Sequence, residues 1–152
     1  MSHLILTLAC IATLALPVRQ NPDILADLAK AEALWKAQKP QSYELTVQIV
    51  CPGLCAAHPE APASFRVTDG QPLPIGDVGF NPYFSSYNTV ENLFGVVRTR
   101  AGTKPGRMKV VYDDKLGYPI TIYWNNHPTI TESDWTVQIT GFKILRKGPL
   151  TP

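Results

Sequence analysis

The densest chemistry in the chain is Cys51-Pro52-Gly53-Leu54-Cys55 followed by His58. Two thiols and an imidazole in a C-x-x-x-C-x-x-H arrangement are a donor set for a soft metal such as copper or zinc. The same thiols, oxidised, make a disulfide. Pro then Gly at the two central positions is the preference of a type II turn, which folds Cys51 back towards Leu54. Without that turn, four extended residues would hold the two cysteine Cα atoms about 13 Å apart, beyond the roughly 7 Å a disulfide tolerates. With it a bridge is geometrically reasonable, a local staple of about 2 kcal/mol in the chain-entropy view. Only three metal donors lie together and Pro59 restricts how His58 is aimed. The disulfide is therefore the first reading of Cys51 and Cys55, and a copper or other soft-metal site at Cys51, Cys55 and His58 is the alternative. A redox dithiol is disfavoured, because such pairs sit at helix N-termini and residues 56–62 carry two prolines and no helical stripe. The spacing is also not that of covalent haem attachment, and no cofactor is expected.

Other constellations are weaker. His127, with Glu132 and Asp134 downstream, has the residue types for metal or acid–base work, but a polar loop between strands explains it more simply. Asp113 and Asp114 are adjacent and read as turn residues. Five basic residues without an acid, Arg98, Arg100, Lys104, Arg107 and Lys109, together with Lys143, Arg146 and Lys147, are read either as one basic edge for an anionic partner or as solvated, lysine-guarded surface. No P-loop, dinucleotide fingerprint, nucleophile elbow or H-E-x-x-H occurs. With no convincing catalytic constellation, a non-enzymatic protein is expected.

Composition bounds the rest. The 152 residues are 45% hydrophobic and 17% charged, with 14 Lys+Arg against 12 Asp+Glu for a net charge of +2. That length suits one domain with a real core. The small charge excess gives no ground for a nucleic-acid partner. Leu4 to Leu16 is apolar apart from Thr7 and Thr13. As a helix it spans about 20 Å, short of a bilayer core of about 30 Å, and fits the apolar region of a signal peptide covering residues 1–15. Lipid anchoring through Cys10 and an uncleaved amino-terminal anchor are the alternatives. Elsewhere no run is long enough for a transmembrane helix, and the expected location is extracytoplasmic, periplasmic or secreted. Two cysteines left in an exported chain agree with a disulfide.

The elements that would position these residues follow from periodicity. Asn21 and Pro22 are suited to cap and start a helix in which Ile24, Leu28, Ala31 and Trp35 recur at helical spacing, Leu25 and Leu34 widening the stripe. Pro40 ends it. Tyr43, Leu45, Val47 and Ile49 alternate with polar residues as a half-buried strand. Phe65 and Val67 alternate before the Asp69-Gly70 hairpin signal, and the return strand, holding Pro72 and Pro74, can only be an edge or a loop. Residues 76–87 read as loop, with Tyr83, Phe84 and Tyr87 clustered in it as a candidate contact patch. A second helix opens at Asn88 or Thr89; with Asn88 as cap, Glu91 takes the acceptor position of a capping box. Val90, Leu93, Phe94 and Val97 form its buried stripe. Three more strands follow, the last with a phase shift near Gly141 that predicts a bulge. The expected fold is α+β: a single mainly antiparallel sheet of five to six strands with two amphipathic helices packed on one face, occupying residues 21–147.

Several stretches resemble an uncharacterised family of small exported bacterial domains. They are Leu34-Trp35 with Pro40 and Tyr43, the paired cysteines after a strand, Phe65 to Gly70, the T-V-E-N-L-F run Thr89 to Phe94 and the Y-D-x-x-x-G-Y-P run Tyr112 to Pro119. The likeness spans about residues 30 to 142. The family pattern has its cysteines closer together and acidic residues where this chain has Ser133-Asp134-Trp135. The resemblance implies export, a cysteine pair and an α+β fold, and no known reaction. The expected role is a binding or interaction module whose partner is an unknown protein or envelope component.

Overall fold

The computed structural model describes residues 23–51, 61–76, 82–103, 107–125 and 134–145. In chain order they form α1 (Asp23–Gln38), β1 (Ser42–Val50), β2 (Ala63–Thr68), β3 (Gln71–Ile75), a short 3₁₀ helix (Pro82–Ser86), α2 (Val90–Gly102), β4 (Arg107–Tyr112), β5 (Pro119–Asn125) and β6 (Asp134–Ile144). The six strands make one antiparallel sheet in the order β3-β2-β1-β6-β5-β4, and α1 and α2 touch each other above one shared core. The α+β fold expected from the sequence is the fold observed.

Each half contributes a meander, and the β1–β6 pairing joins them. The halves share the order helix, strand, strand, strand, but not its hand. Because β6 is antiparallel to β1, β4 runs opposite to β1, while the strands succeed one another across the sheet in the same sense and both helices lie on one face. Units of opposite hand cannot be superposed, so the halves are not a structural repeat.

Local chemistry accounts for the elements. Along β1, Tyr43, Leu45, Val47 and Ile49 are buried and their neighbours face outward, the period-two signature of a sheet with one open face. Asp69 and Gly70 both have positive φ (50° and 80°), the requirement of a two-residue type I′ hairpin, and set Thr68 opposite Gln71. Pro72 and Pro74 place β3 at the sheet edge, where a missing N–H costs no ladder bond. The register of β1 on β6 shifts between Thr46 and Val47, which face Gly141 and Ile139, so Thr140 is the extra residue. This is the bulge predicted near Gly141, and it returns Phe142 to the helical face. In α1, Leu28, Ala31 and Trp35 are buried, whereas Leu25 is 51% exposed and does not widen the stripe as expected. It points to one side of the buried face, since Ile24, one residue earlier, still packs against the core. The proposed cap at Asn21 and Pro22 lies outside the described residues.

The β4–β5 connection is a second fixed point. Asp113 accepts backbone N–H bonds from Lys115 (3.0 Å) and Leu116 (2.7 Å) on Oδ1, and Gly117 N–H donates to its carbonyl at 2.8 Å. Gly117 has φ 82°, and a Cβ there would stand 2.4 Å from the Ala31 carbonyl oxygen. Only glycine lets this turn press against the backbone of α1. Tyr118 then stacks on Phe142 (4.2 Å), Phe142 on Tyr43 (5.3 Å), and Trp35 meets Tyr43 edge-on (5.4 Å). This aromatic column ties α1 and the first meander to the second.

Candidate functional site

Helix α2 carries two polar assemblies, one at its first turn and one along its outward flank. The first begins at Thr89, whose hydroxyl accepts the Asn92 N–H at 3.1 Å, so Thr89 is the cap. Asn88, the other expected cap, instead accepts from the Asn92 side-chain amide at 2.8 Å. Glu91 consequently sits one position earlier than a capping box requires, and its carboxylate turns towards the core. Oε1 receives the Trp35 indole N–H at 3.0 Å and pairs with Lys39 at 2.7 Å; Oε2 accepts from the Tyr43 hydroxyl at 3.4 Å. That hydroxyl in turn accepts the Val90 backbone N–H at 3.1 Å. Burial pulls the Glu91 pKa up, but the hydrogen bonds from Lys39 and Trp35 outweigh it and hold the carboxyl below its ordinary value. Desolvation drives the Tyr43 phenol far above its ordinary range.

The second assembly is an open cleft of about 500 Å³ between the 3₁₀ helix and α2, lined by Ser85, Ser86, Tyr87, Glu91, Asn92, Gly95, Val96, Thr99 and Arg100. The Asn92 amide, donating to the Ser85 carbonyl at 3.1 Å, fixes one wall to the other. The α2 wall is a helical stripe, 92, 95, 96, 99 and 100. Gly95 stands in its middle, and a Cβ there would meet nothing within 4 Å. Packing therefore does not demand glycine, although glycine inside a helix costs about 1 kcal/mol relative to alanine. At the far end the Arg100 guanidinium lies 4.8 Å over the Trp124 ring, and Trp124 stacks on Trp135 at 5.7 Å. Tyr87 is 8% exposed; burial raises its phenol pKa, the nearby Arg100 charge opposes this, and no described residue hydrogen-bonds its hydroxyl. The buried Trp124 Nε1 also lacks a partner.

Residues 27–144 match a family of unknown function, DUF6174. The chain belongs to this family. No curated protein and no solved structure matched it. The DUF6174 match spans nearly the stretch over which the resemblance was read, and the motifs that carried it converge in space. Trp35, Tyr43, Thr89, Glu91 and Asn92 build the first-turn assembly, and Asp113, Gly117 and Tyr118 build the turn docked on α1.

The other expected site residues fall as follows. Cys51 follows β1 and is half-buried, while Cys55 and His58 lie outside the described residues. Of the candidate contact patch, Phe84 is 2% and Tyr87 8% exposed, and Tyr83 is half-buried against the core, so these rings close the core more than they present a surface. The 3₁₀ helix turns them inward, and Phe84 packs on Phe65. Tyr87 nevertheless lines the cleft. His127 and Glu132 lie outside the described residues; Asp134 accepts a hydrogen bond from the Asn125 amide across β5 and β6. Asp113 is the turn residue expected, and Asp114 is exposed beside it. Among the described basic residues there is no single edge. Arg98 pairs with Glu32, Arg100 stacks on Trp124, Arg107 and Lys109 lie on edge strand β4, and Lys143 lies on central strand β6. Of the cleft, Gly95 and the role of Arg100 were not anticipated; the available signal was a glycine interrupting an otherwise regular helical stripe.

Proposed function

We propose that this protein is an exported, non-enzymatic binding module of the cell envelope that holds a small polar ligand in the cleft between the 3₁₀ helix and α2. The observation carrying this reading is the cleft itself: a glycine at the centre of its helical wall that packing does not require, beside a tyrosine whose hydroxyl no described residue hydrogen-bonds. Its size and its mixture of apolar floor and a few convergent polar groups suit a small-molecule site. Catalysis is disfavoured by the state of Glu91, the carboxylate at the cleft margin. It is already engaged by Lys39, Trp35 and Tyr43 and is held ionised, the opposite of a group poised to exchange protons near neutral pH.

Export rests on the apolar run Leu4 to Leu16, and the two cysteines beyond it fit a Cys51–Cys55 staple just after β1. Intact mass of protein from an exporting host tests both. Loss of residues 1–15 and no thiol alkylation before reduction are expected; a full-length chain with alkylated thiols would contradict them. Binding is tested by a thermal-shift panel of small envelope components on the native protein and on Gly95→Leu, whose Cβ meets nothing within 4 Å and whose side chain would occupy the cleft. A ligand that raises the native Tm and leaves the variant unmoved is the expected result. Equal shifts in both would place binding elsewhere.

A further inference from the structure

The chemistry of the cleft narrows what it holds, on the reading that the cleft is the ligand site. Arg100 is the only cationic residue among its described lining residues. On the same helix Arg98 pairs with Glu32, and at the other end of the cleft Lys39 pairs with Glu91. No described carboxylate pairs with Arg100, which is held instead by the face of Trp124. A guanidinium held over a ring face by a cation–π contact still has N–H donors to offer, and the guanidinium fork can receive an oxyanion through two parallel hydrogen bonds. Beside it Tyr87, a mostly buried ring that lines the cleft, has a hydroxyl that no described residue hydrogen-bonds and that can therefore donate to an acceptor from a ligand.

We infer that the cleft takes a hydroxyl-bearing monocarboxylate of sugar-acid type, its carboxylate held by Arg100 and Tyr87. One cation fits one negative charge. The Glu91 carboxylate on the opposite margin, although paired with Lys39, disfavours a dianion such as phosphate. The remaining polar lining, Ser85, Ser86, Asn92 and Thr99, is neutral and suits ligand hydroxyls, while Gly95 and Val96 offer a flat floor for close approach.

Isothermal titration of the full chain with glucuronate, glucose and inorganic phosphate tests this. Glucuronate binds, and glucose, with similar hydroxyls but no carboxylate, binds at least about tenfold more weakly, the ratio expected from losing a charge-assisted hydrogen bond. Arg100→Gln weakens glucuronate by a similar factor. Tyr87→Phe, which removes the hydroxyl and keeps the ring, weakens it severalfold while leaving Tm unchanged or higher. No glucuronate binding by the native protein, equal affinity for glucose, tighter binding of phosphate, or indifference to both Arg100→Gln and Tyr87→Phe would overturn the carboxylate assignment. If one of these results is accompanied by a probe whose binding Gly95→Leu abolishes, the cleft survives as a binding site and only its ligand class is wrong. If every probe that binds is unaffected by Gly95→Leu, the cleft reading falls as well.

Discussion

At the first turn of α2, every strong polar group is answered: Glu91 receives Trp35, Lys39 and Tyr43, and the Tyr43 hydroxyl also receives the Val90 N–H. Roughly 13 Å further along the same helix, no described carboxylate pairs with Arg100, and among the described residues neither the hydroxyl of Tyr87 nor the buried indole N–H of Trp124 has a hydrogen-bond partner. The two regions are built from the same residue types, aromatics and one or two charges, yet one is closed and the other open. A satisfied network holds a fold in a single arrangement, whereas polar groups left wanting keep interaction energy for something that arrives later. The first region thus reads as the joint between α1, α2 and the sheet, and the second is the cleft proposed to take a ligand.

That contrast can be broken, starting with the joint. Trp35→Ala removes an aromatic anchor and a donor to Glu91 together and is expected to cost about 3–5 kcal/mol in urea denaturation. A loss near 1 kcal/mol would mean that the column is not the link between the halves. Gly117→Ala is expected to cost about 2 kcal/mol or more, through its positive φ and the collision with the Ala31 carbonyl. A neutral result would show that the turn does not press on α1.

Glu91→Gln has a smaller effect with a distinctive pH signature. Because the folded-state pKa of Glu91 is depressed below its ordinary value of 4.5, its contribution is complete above that value and is lost as pH falls through the lower folded value. The native protein should lose stability on acidification below about pH 4.5, and Glu91→Gln should lose about 1 kcal/mol at neutral pH, allowing for its partial exposure, and flatten this acid limb. An unchanged limb would assign the acid sensitivity to another carboxylate. The smallest and opposite effect belongs to the open region: Gly95→Ala should stabilise by about 1 kcal/mol, since alanine is the better helix former and its methyl meets nothing. Destabilisation there would show that the glycine serves packing rather than the cleft.

Much of the frame was legible in the chain because it depends on local rules. The alternation in β1, the Asp69-Gly70 hairpin, the proline-marked edge and the bulge beside Gly141 each leave a signal within a few residues. The α2 cap was legible only as a choice between Asn88 and Thr89, two capping residues in adjacent positions. The site was less legible because its partners are distant in sequence. Nothing near Arg100 announces that Trp124 will lie beneath it, so in the chain it reads as one of a basic run. Nothing distinguishes Tyr87, half core and half cleft wall, from a surface aromatic until the 3₁₀ helix turns it inward.

The most direct test of the contrast is one experiment on two variants: stability and glucuronate affinity measured side by side for Glu91→Gln and Arg100→Gln. Glu91→Gln should lose stability and keep affinity within a factor of two or three, given that its carboxylate is spent on the fold. Arg100→Gln should lose affinity about tenfold or more and no more than about 1 kcal/mol of stability, the worth of its contact with Trp124. If both variants lose both properties in parallel, α2 has one polar assembly rather than two, and the division between joint and recognition site is wrong.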